Sequence, residues 1–233
     1  MSTVSFEIVK NADRLFFHDG EKYVLFDSGF VKSQWGKNSV SVDGKIGPFE
    51  VERIGQSFLN EFINMKMNDG KEILAVFNPM DGFNCLLEGN TLTISDEELE
   101  HSAKGFFFPF VDSNLPIIEG KINGKEGRFF FDSGARMTMF GEESLAEEKI
   151  KTYREWMAMI HEYADLSVYK VSMEFPNGFK YEGEGALVTH SLYRMMGAFM
   201  NIKGMLGIDI FKRFNILITA KGRKRGVELF AKE

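Results

Sequence analysis

The sequence predicts a mainly β protein of two similar lobes with a few helices. Three observations point there. Asp-Ser-Gly occurs once in each half of the 233 residues, as Asp27-Ser28-Gly29 and as Asp132-Ser133-Gly134. Each copy closes an apolar run whose preceding residues read as a hairpin. A Phe-Asn pair followed by apolar positions then recurs late in each half, as Phe83-Asn84-Cys85-Leu86-Leu87 and Phe214-Asn215-Ile216-Leu217-Ile218. A repeat of architecture is more specific than a repeat of three residues.

Taken in order, residues 14–17 and 22–26 flank His18-Asp19-Gly20-Glu21, a hairpin signal, and the second run feeds into Asp27. Residues 57–67, with Phe58, Leu59, Phe62 and Ile63, predict a helix that stops at Asn68-Asp69-Gly70. Residues 72–77 are an apolar run before the first Phe-Asn pair. Residues 95–105 are polar and acidic and predict the connection, between a first lobe of residues 1–94 and a second of residues 106–233. Phe106-Phe107-Phe108-Pro109-Phe110 must pack, and a strand shared by both lobes is one place for it. Residues 116–122, the turn Asn123-Gly124 and residues 128–131 form the second hairpin, running into Asp132. Residues 142–164 place Ala146, Ile150, Tyr153, Met157, Ile160 and Ala164 three or four apart, which predicts an amphipathic helix. The basic run at residues 221–225 lies between two apolar runs and reads as a solvated turn.

Composition bounds the partners. Net charge is −6, so the surface carries no nucleic-acid signature. The 24 phenylalanines read as filler of β-rich cores. Cys85 is the single cysteine, which excludes a disulfide within the chain, and its apolar setting reads as core. Neither a signal peptide nor a membrane-length apolar stretch is visible. The expectation is a chain with no membrane partner, cytoplasmic unless a leader has been removed. The four histidines lack zinc-ligand spacing and no phosphate-cradling glycine loop occurs, so neither metal nor other cofactor is expected. Met195, Met196, Met200 and Met205 fit the lining of an adaptable pocket, but core filler is the commoner case for methionine.

The chemistry resides in the repeated Asp-Ser-Gly. A strand holds each carboxylate, glycine lets another chain approach closely, and the serine hydroxyl both donates and accepts. If the two loops meet, the carboxyls share one proton, and one serves as base while the other serves as acid.

Residues 116–140 give strand, Asn-Gly turn, apolar strand, Asp-Ser-Gly-Ala and a strand bearing Thr138; Met205-Leu206-Gly207 and residues 209–214 follow. That order resembles the aspartic peptidases, pepsin-like and most closely retropepsin-like, with their bacterial relatives. The resemblance covers residues 116–230 well and residues 14–90 loosely. It implies a two-lobed acid-protease fold of closed β-barrels, with Asp27 and Asp132 as the catalytic pair. Ser28, Gly29, Ser133, Gly134 and Ala135 would support the pair, and Leu206 and Gly207 would pack beside the catalytic loop. It also implies a hairpin flap, for which Asp43-Gly44 and Asn177-Gly178 are the candidates. The implied partner is an extended peptide or protein, and the chain would act as a monomer. Two departures stand out. Phe30 follows the first Asp-Ser-Gly where the family carries a small residue. The first half also has Ala75 or Val76 where the second has Gly207. They motivate the alternative of a catalytically inactive peptide-binding or assembly module on the same scaffold.

Overall fold

Period-two burial, rather than helical periodicity, governs most of the chain. A computed structural model describes residues 2–10, 14–20, 22–29, 33–35, 45–53, 73–157 and 162–232. The first half contributes β1 (Thr3–Glu7), β2 (Phe16–Asp19), β3 (Lys22–Phe26), β4 (Gln34–Trp35), β5 (Lys45–Ile46), β6 (Phe49–Glu50), β7 (Glu52–Arg53), β8 (Ile73–Phe77), β9 (Asn84–Glu88) and β10 (Thr91–Ser95). The second contributes β11 (Phe106–Pro109), β12 (Ile117–Ile122), β13 (Lys125–Phe131), β14 (Thr138–Phe140), β15 (Lys149–Met157), β16 (Glu162–Glu174), β17 (Lys180–Leu187), β18 (Gly204–Leu206), β19 (Phe214–Thr219) and β20 (Gly226–Ala231). Helices α1 (Ser191–Met200) and α2 (Ile208–Phe211) flank β18.

The fold is mainly β and two-lobed. In the first lobe β2-β3-β8-β4-β7 form one sheet, with β3 antiparallel to β2 and parallel to β8. In the second, β12-β13-β18-β14-β17-β16-β15 form another, and a further β12–β16 pairing closes six of these strands into a barrel. Both expected hairpins form. The Asn123-Gly124 turn has φ of +47° and +77°, the left-handed pair that a tight hairpin demands and that Asn-Gly supplies at low cost.

A third sheet, β1-β10-β9-β19-β20-β11, joins the lobes. At its centre β9 runs antiparallel to β19, with Leu87 opposite Ile216 and Cys85 opposite Ile218. Cys85 is fully buried, and burial pushes its thiol up, so it is a core residue. The Phe-Asn repeat falls on this pair. Asn215 Oδ1 accepts from Gly89 N at 3.0 Å, in the turn between β9 and β10. Asn84 Oδ1 accepts from Lys221 N at 3.1 Å, in the turn between β19 and β20, and its Nδ2 donates to Glu97 O at 2.7 Å. Each half thus satisfies the other half's turn. The phenylalanine run of β11 pairs with β20 at the edge of the same sheet, and residues 221–225 form the exposed turn expected of them.

Two expectations fail. The described residues among 142–164 are not a helix. A short 3₁₀ turn, Glu143–Leu145, leads into β15 and β16. On β15 Glu155 and Met157 are buried whereas Ile150 is 41% exposed. A charged residue inside and an apolar one outside break the alternation that marks a strand, and the remaining apolar spacing mimics a helical stripe. Met195 is not core filler: it lies on α1 with its side chain 62% exposed. The helix expected at residues 57–67 lies outside the described residues.

Asn84 is 1% exposed. Replacing it by alanine leaves Lys221 N and Glu97 O without their partner. Asn84→Ala is therefore expected to destabilise the protein by about 1–3 kcal/mol, read as a lower urea midpoint at unchanged slope.

Candidate active site

Each Asp-Ser-Gly leaves a strand that is flanked on both sides. Asp27 follows β3, and its N–H donates to Phe77 O of β8 at 2.9 Å. Asp132 follows β13, and its N–H donates to Leu206 O of β18 at 3.0 Å. The two loops then lock together through their serines. Ser28 N donates to Ser133 Oγ at 2.9 Å and Ser133 N donates to Ser28 Oγ at 3.0 Å. Ser28 Oγ donates onward to Phe131 O at 2.7 Å, and Ser133 Oγ to Phe26 O at 3.1 Å. Both serines are buried. Every lone donor in the pair has its acceptor in the opposite half.

The glycines are required by this approach. A Cβ at Gly29 would fall on the Asp132 carboxyl, and one at Gly134 would fall on that of Asp27. Each carboxyl therefore lies against the opposite loop, beside the other carboxyl. Gly29 N donates to Asp27 Oδ1 at 2.8 Å. Gly134 N and Ala135 N donate to Asp132 Oδ1 at 2.9 and 3.2 Å. Asp27 is 7% exposed; Asp132 is half-buried.

Burial holds both carboxyls above the usual carboxylate range. For Asp27 the charge of Asp132 adds to burial and raises it well above that range. For Asp132 the Asp27 carboxyl beside it and the bonds from Gly134 and Ala135 oppose burial. The titration belongs to the pair.

Behind each loop lies a carboxylate–hydroxyl brace that sequence reasoning did not find. In the second lobe Thr138 N donates to Asp209 Oδ1 at 2.9 Å, Tyr181 Oη donates to Asp209 Oδ2 at 2.6 Å, and Gly207 N donates to Thr138 Oγ1 at 3.3 Å. In the first, Ser33 N donates to Asp81 Oδ2 at 2.6 Å and Asn78 N donates to Ser33 Oγ at 2.8 Å. Ser33 and Thr138 each stand six residues after their aspartate, and that spacing was the available signal. The register also corrects the position matched to Gly207. Phe26 pairs with Phe77 as Phe131 pairs with Leu206, so Asn78, and not Ala75 or Val76, takes its place. A Cβ at Gly207 would strike the Met137 backbone; the first lobe accommodates a side chain there.

An ionic group also reaches the pair. The Arg14 guanidinium donates to Gly134 O and, at 3.1 Å, to Glu155 Oε1 of β15. Arg136 Nε lies 3.8 Å from Glu155 Oε2.

Of the flap candidates, Asp43 and Gly44 lie outside the described residues, as does Phe30. The Asn177-Gly178 turn is anchored instead: Asn177 Nδ2 donates to Phe107 O at 2.9 Å, and the rings of Phe175 and Phe179 pack on Phe108. Among the described residues no three His, Cys, Asp or Glu side chains converge as metal ligands.

No family model and no curated protein matches the chain. Among solved structures it is similar to a retropepsin-like aspartic protease from Rickettsia conorii. The match has 12% identity over 58% of this chain and 98% of that one, with a TM-score of 0.34. That is a distant likeness, and the chemistry must be read from the atoms of the site itself.

The raised carboxyls carry a sign. Between the ordinary carboxylate range and their own higher pKa values, the folded chain keeps protons that the unfolded chain has lost. Their contribution to stability is fully present below about pH 4 and is lost as pH rises through the folded values. Asp27→Asn, which mimics the protonated form, is expected to be more stable than the parent at pH 7. The difference should shrink as pH falls toward about 4, as measured by urea unfolding of both proteins at each pH.

Proposed function

We propose that the chain is an aspartic-type endopeptidase that hydrolyses peptide bonds through a water activated by Asp27 and Asp132. One observation carries this reading: two carboxyls from opposite lobes, Asp27 buried and Asp132 half-buried, are held together by a reciprocal serine lock. Metal ligation and a nucleophilic side chain are not needed for what such a pair does. The ionised carboxyl takes a proton from water as the oxygen attacks the peptide carbonyl carbon. The protonated one hydrogen-bonds the carbonyl oxygen and stabilises the charge that develops there. A proton then passes to the peptide nitrogen, the C–N bond breaks, and acid and amine leave with the pair again holding one proton.

The substrate in this reading is an extended peptide, bound through its backbone beside a strand and through alternate side chains in pockets. The β15–β16 hairpin is the better-placed element to receive it, since Glu155 of β15 reaches Arg14 beside the pair. The anchored Asn177-Gly178 turn is less suited to that task. Both aspartates come from one chain, so activity should need no second copy.

The test is cleavage of a peptide library by the parent, Asp27→Asn and Asp132→Asn, with circular dichroism as the folding control. Each substitution is expected to lower kcat by about 10²–10⁴-fold or more, and activity per mole should be constant on dilution. Full activity in either well-folded variant would exclude a shared pair. A parent that binds peptides without cleaving them would mark a binding module. The pH profile should be bell-shaped, because the pair works with one proton and not with two or none.

A further inference from the structure

A buried ionic group outside the Asp-Ser-Gly loops has no role in the chemistry so far. Arg14 precedes β2 in the first lobe, and its side chain is 13% exposed. Glu155 is in the second lobe, on β15, with a side chain 2% exposed. Arg136 lies two residues beyond Gly134, its guanidinium 5.5 Å from the centre of the Tyr153 ring. Tyr153, also on β15, lies beside Glu155, and burial together with that carboxylate raises its phenol. Among the described residues, the charged and titratable groups around Arg14 include Glu155 and Tyr153 of β15, Arg136 of the second loop, and Asp27 and Asp132.

Two features of this group need a reason. Burying an arginine and a glutamate is costly, and such a pair rarely improves on apolar packing, so stability alone is a weak explanation. Arg14 also spends one contact on a neutral backbone acceptor, Gly134 O, in the loop whose N–H holds Asp132. The peptide unit that carries this carbonyl is followed by Ala135, whose N–H also donates to Asp132. Pulling on the carbonyl of Gly134 therefore orients a donor to the carboxylate. The charges make the second point: the Arg14 guanidinium favours ionisation of both aspartates, and the Glu155 carboxylate, 3.1 Å from it, opposes that field.

We propose that Arg14 is a positioning residue for the aspartate pair, which orients the second loop through Gly134 O and, with Glu155 held against it, sets the charge that the pair faces. The inference rests on the reading of Asp27 and Asp132 as a working pair, but its consequences can be measured without hydrolysis. Arg14 favours ionisation of both aspartates, so removing it must raise their titration. Glu155 opposes Arg14, so neutralising it must lower them. A purely structural brace predicts no such opposition: losing either partner would loosen the same contact and move both variants in the same direction.

The experiment is a ¹³C NMR titration of the Asp side-chain carboxyls in the full chain, for the parent, Arg14→Met, Glu155→Gln and Arg14→Lys. Signals are assigned with Asp27→Asn and Asp132→Asn. Arg14→Met is expected to shift the pair's titration up by about one pH unit, and Glu155→Gln to shift it down. Arg14→Lys, which keeps the charge but not the fork, should keep the parent's titration. If peptide cleavage is detected, its pH optimum should follow the same order. Shifts of one sign in Arg14→Met and Glu155→Gln, or no shift in either folded variant, overturn the proposal. Absence of cleavage with opposed shifts leaves this inference standing and removes the peptidase reading instead. If Arg14→Met fails to fold, Glu155→Gln against Arg14→Lys decides: no downward shift in the former overturns the proposal.

Discussion

The reciprocal bonding of Ser28 and Ser133 is the constraint on which the rest of the site depends. Four buried donors, two N–H and two O–H, find acceptors only if the two loops sit back to back across the lobes. A buried donor without its acceptor costs more than the bond itself contributes, so the geometry is nearly all-or-none. Once the loops meet, a Cβ at Gly29 or Gly134 has nowhere to go, and the preceding carboxyls are forced together. Their raised titration follows from that enforced closeness and from burial. The closeness of the two carboxyls is therefore a consequence of backbone packing.

The two halves keep the same physical logic with different residues. Each loop is tied to the strand beside it by an aspartate N–H, and each is braced behind by a hydroxyl and a carboxylate. Asn78 stands where Gly207 stands, yet both N–H groups reach the hydroxyl six residues past the aspartate. The repeat also extends into the joining sheet, where Asn84 and Asn215 exchange turn contacts. Symmetry is broken at the ionic group: Arg14 comes from the first lobe, but Glu155 and Arg136 come from the second. That asymmetry falls beside the aspartate pair, where Arg14 reaches Gly134 O.

Several features were legible in the sequence because their physics is local. The alternation before each Asp-Ser-Gly, the Asn123-Gly124 turn with its positive φ values, and the apolar context of Cys85 each depend on a few neighbouring residues. Residues 149–157 misled because Glu155 is buried and Ile150 exposed, for reasons that lie in the other lobe: the partner that makes Glu155 tolerable inside is Arg14. Helix α1 was not legible either: Met195 and Phe199 are apolar yet exposed, which blurs its polar face.

By itself, then, the sequence determined that two like hairpins end in two like carboxylate loops, that the chain is mainly β, and that small residues follow each aspartate. Those are properties of short segments. Only the tertiary structure decided that the loops face each other, that Asn78 and not Ala75 or Val76 takes the place of Gly207, and that Asn177 is fastened to the body at Phe107. It also brought an arginine and a glutamate from opposite lobes to the aspartates. Register, burial of charge and contacts across the lobes are set by the joining of β9 to β19 and by the serine lock. Neither has a local signature, because each of their bonds links residues about half the chain apart.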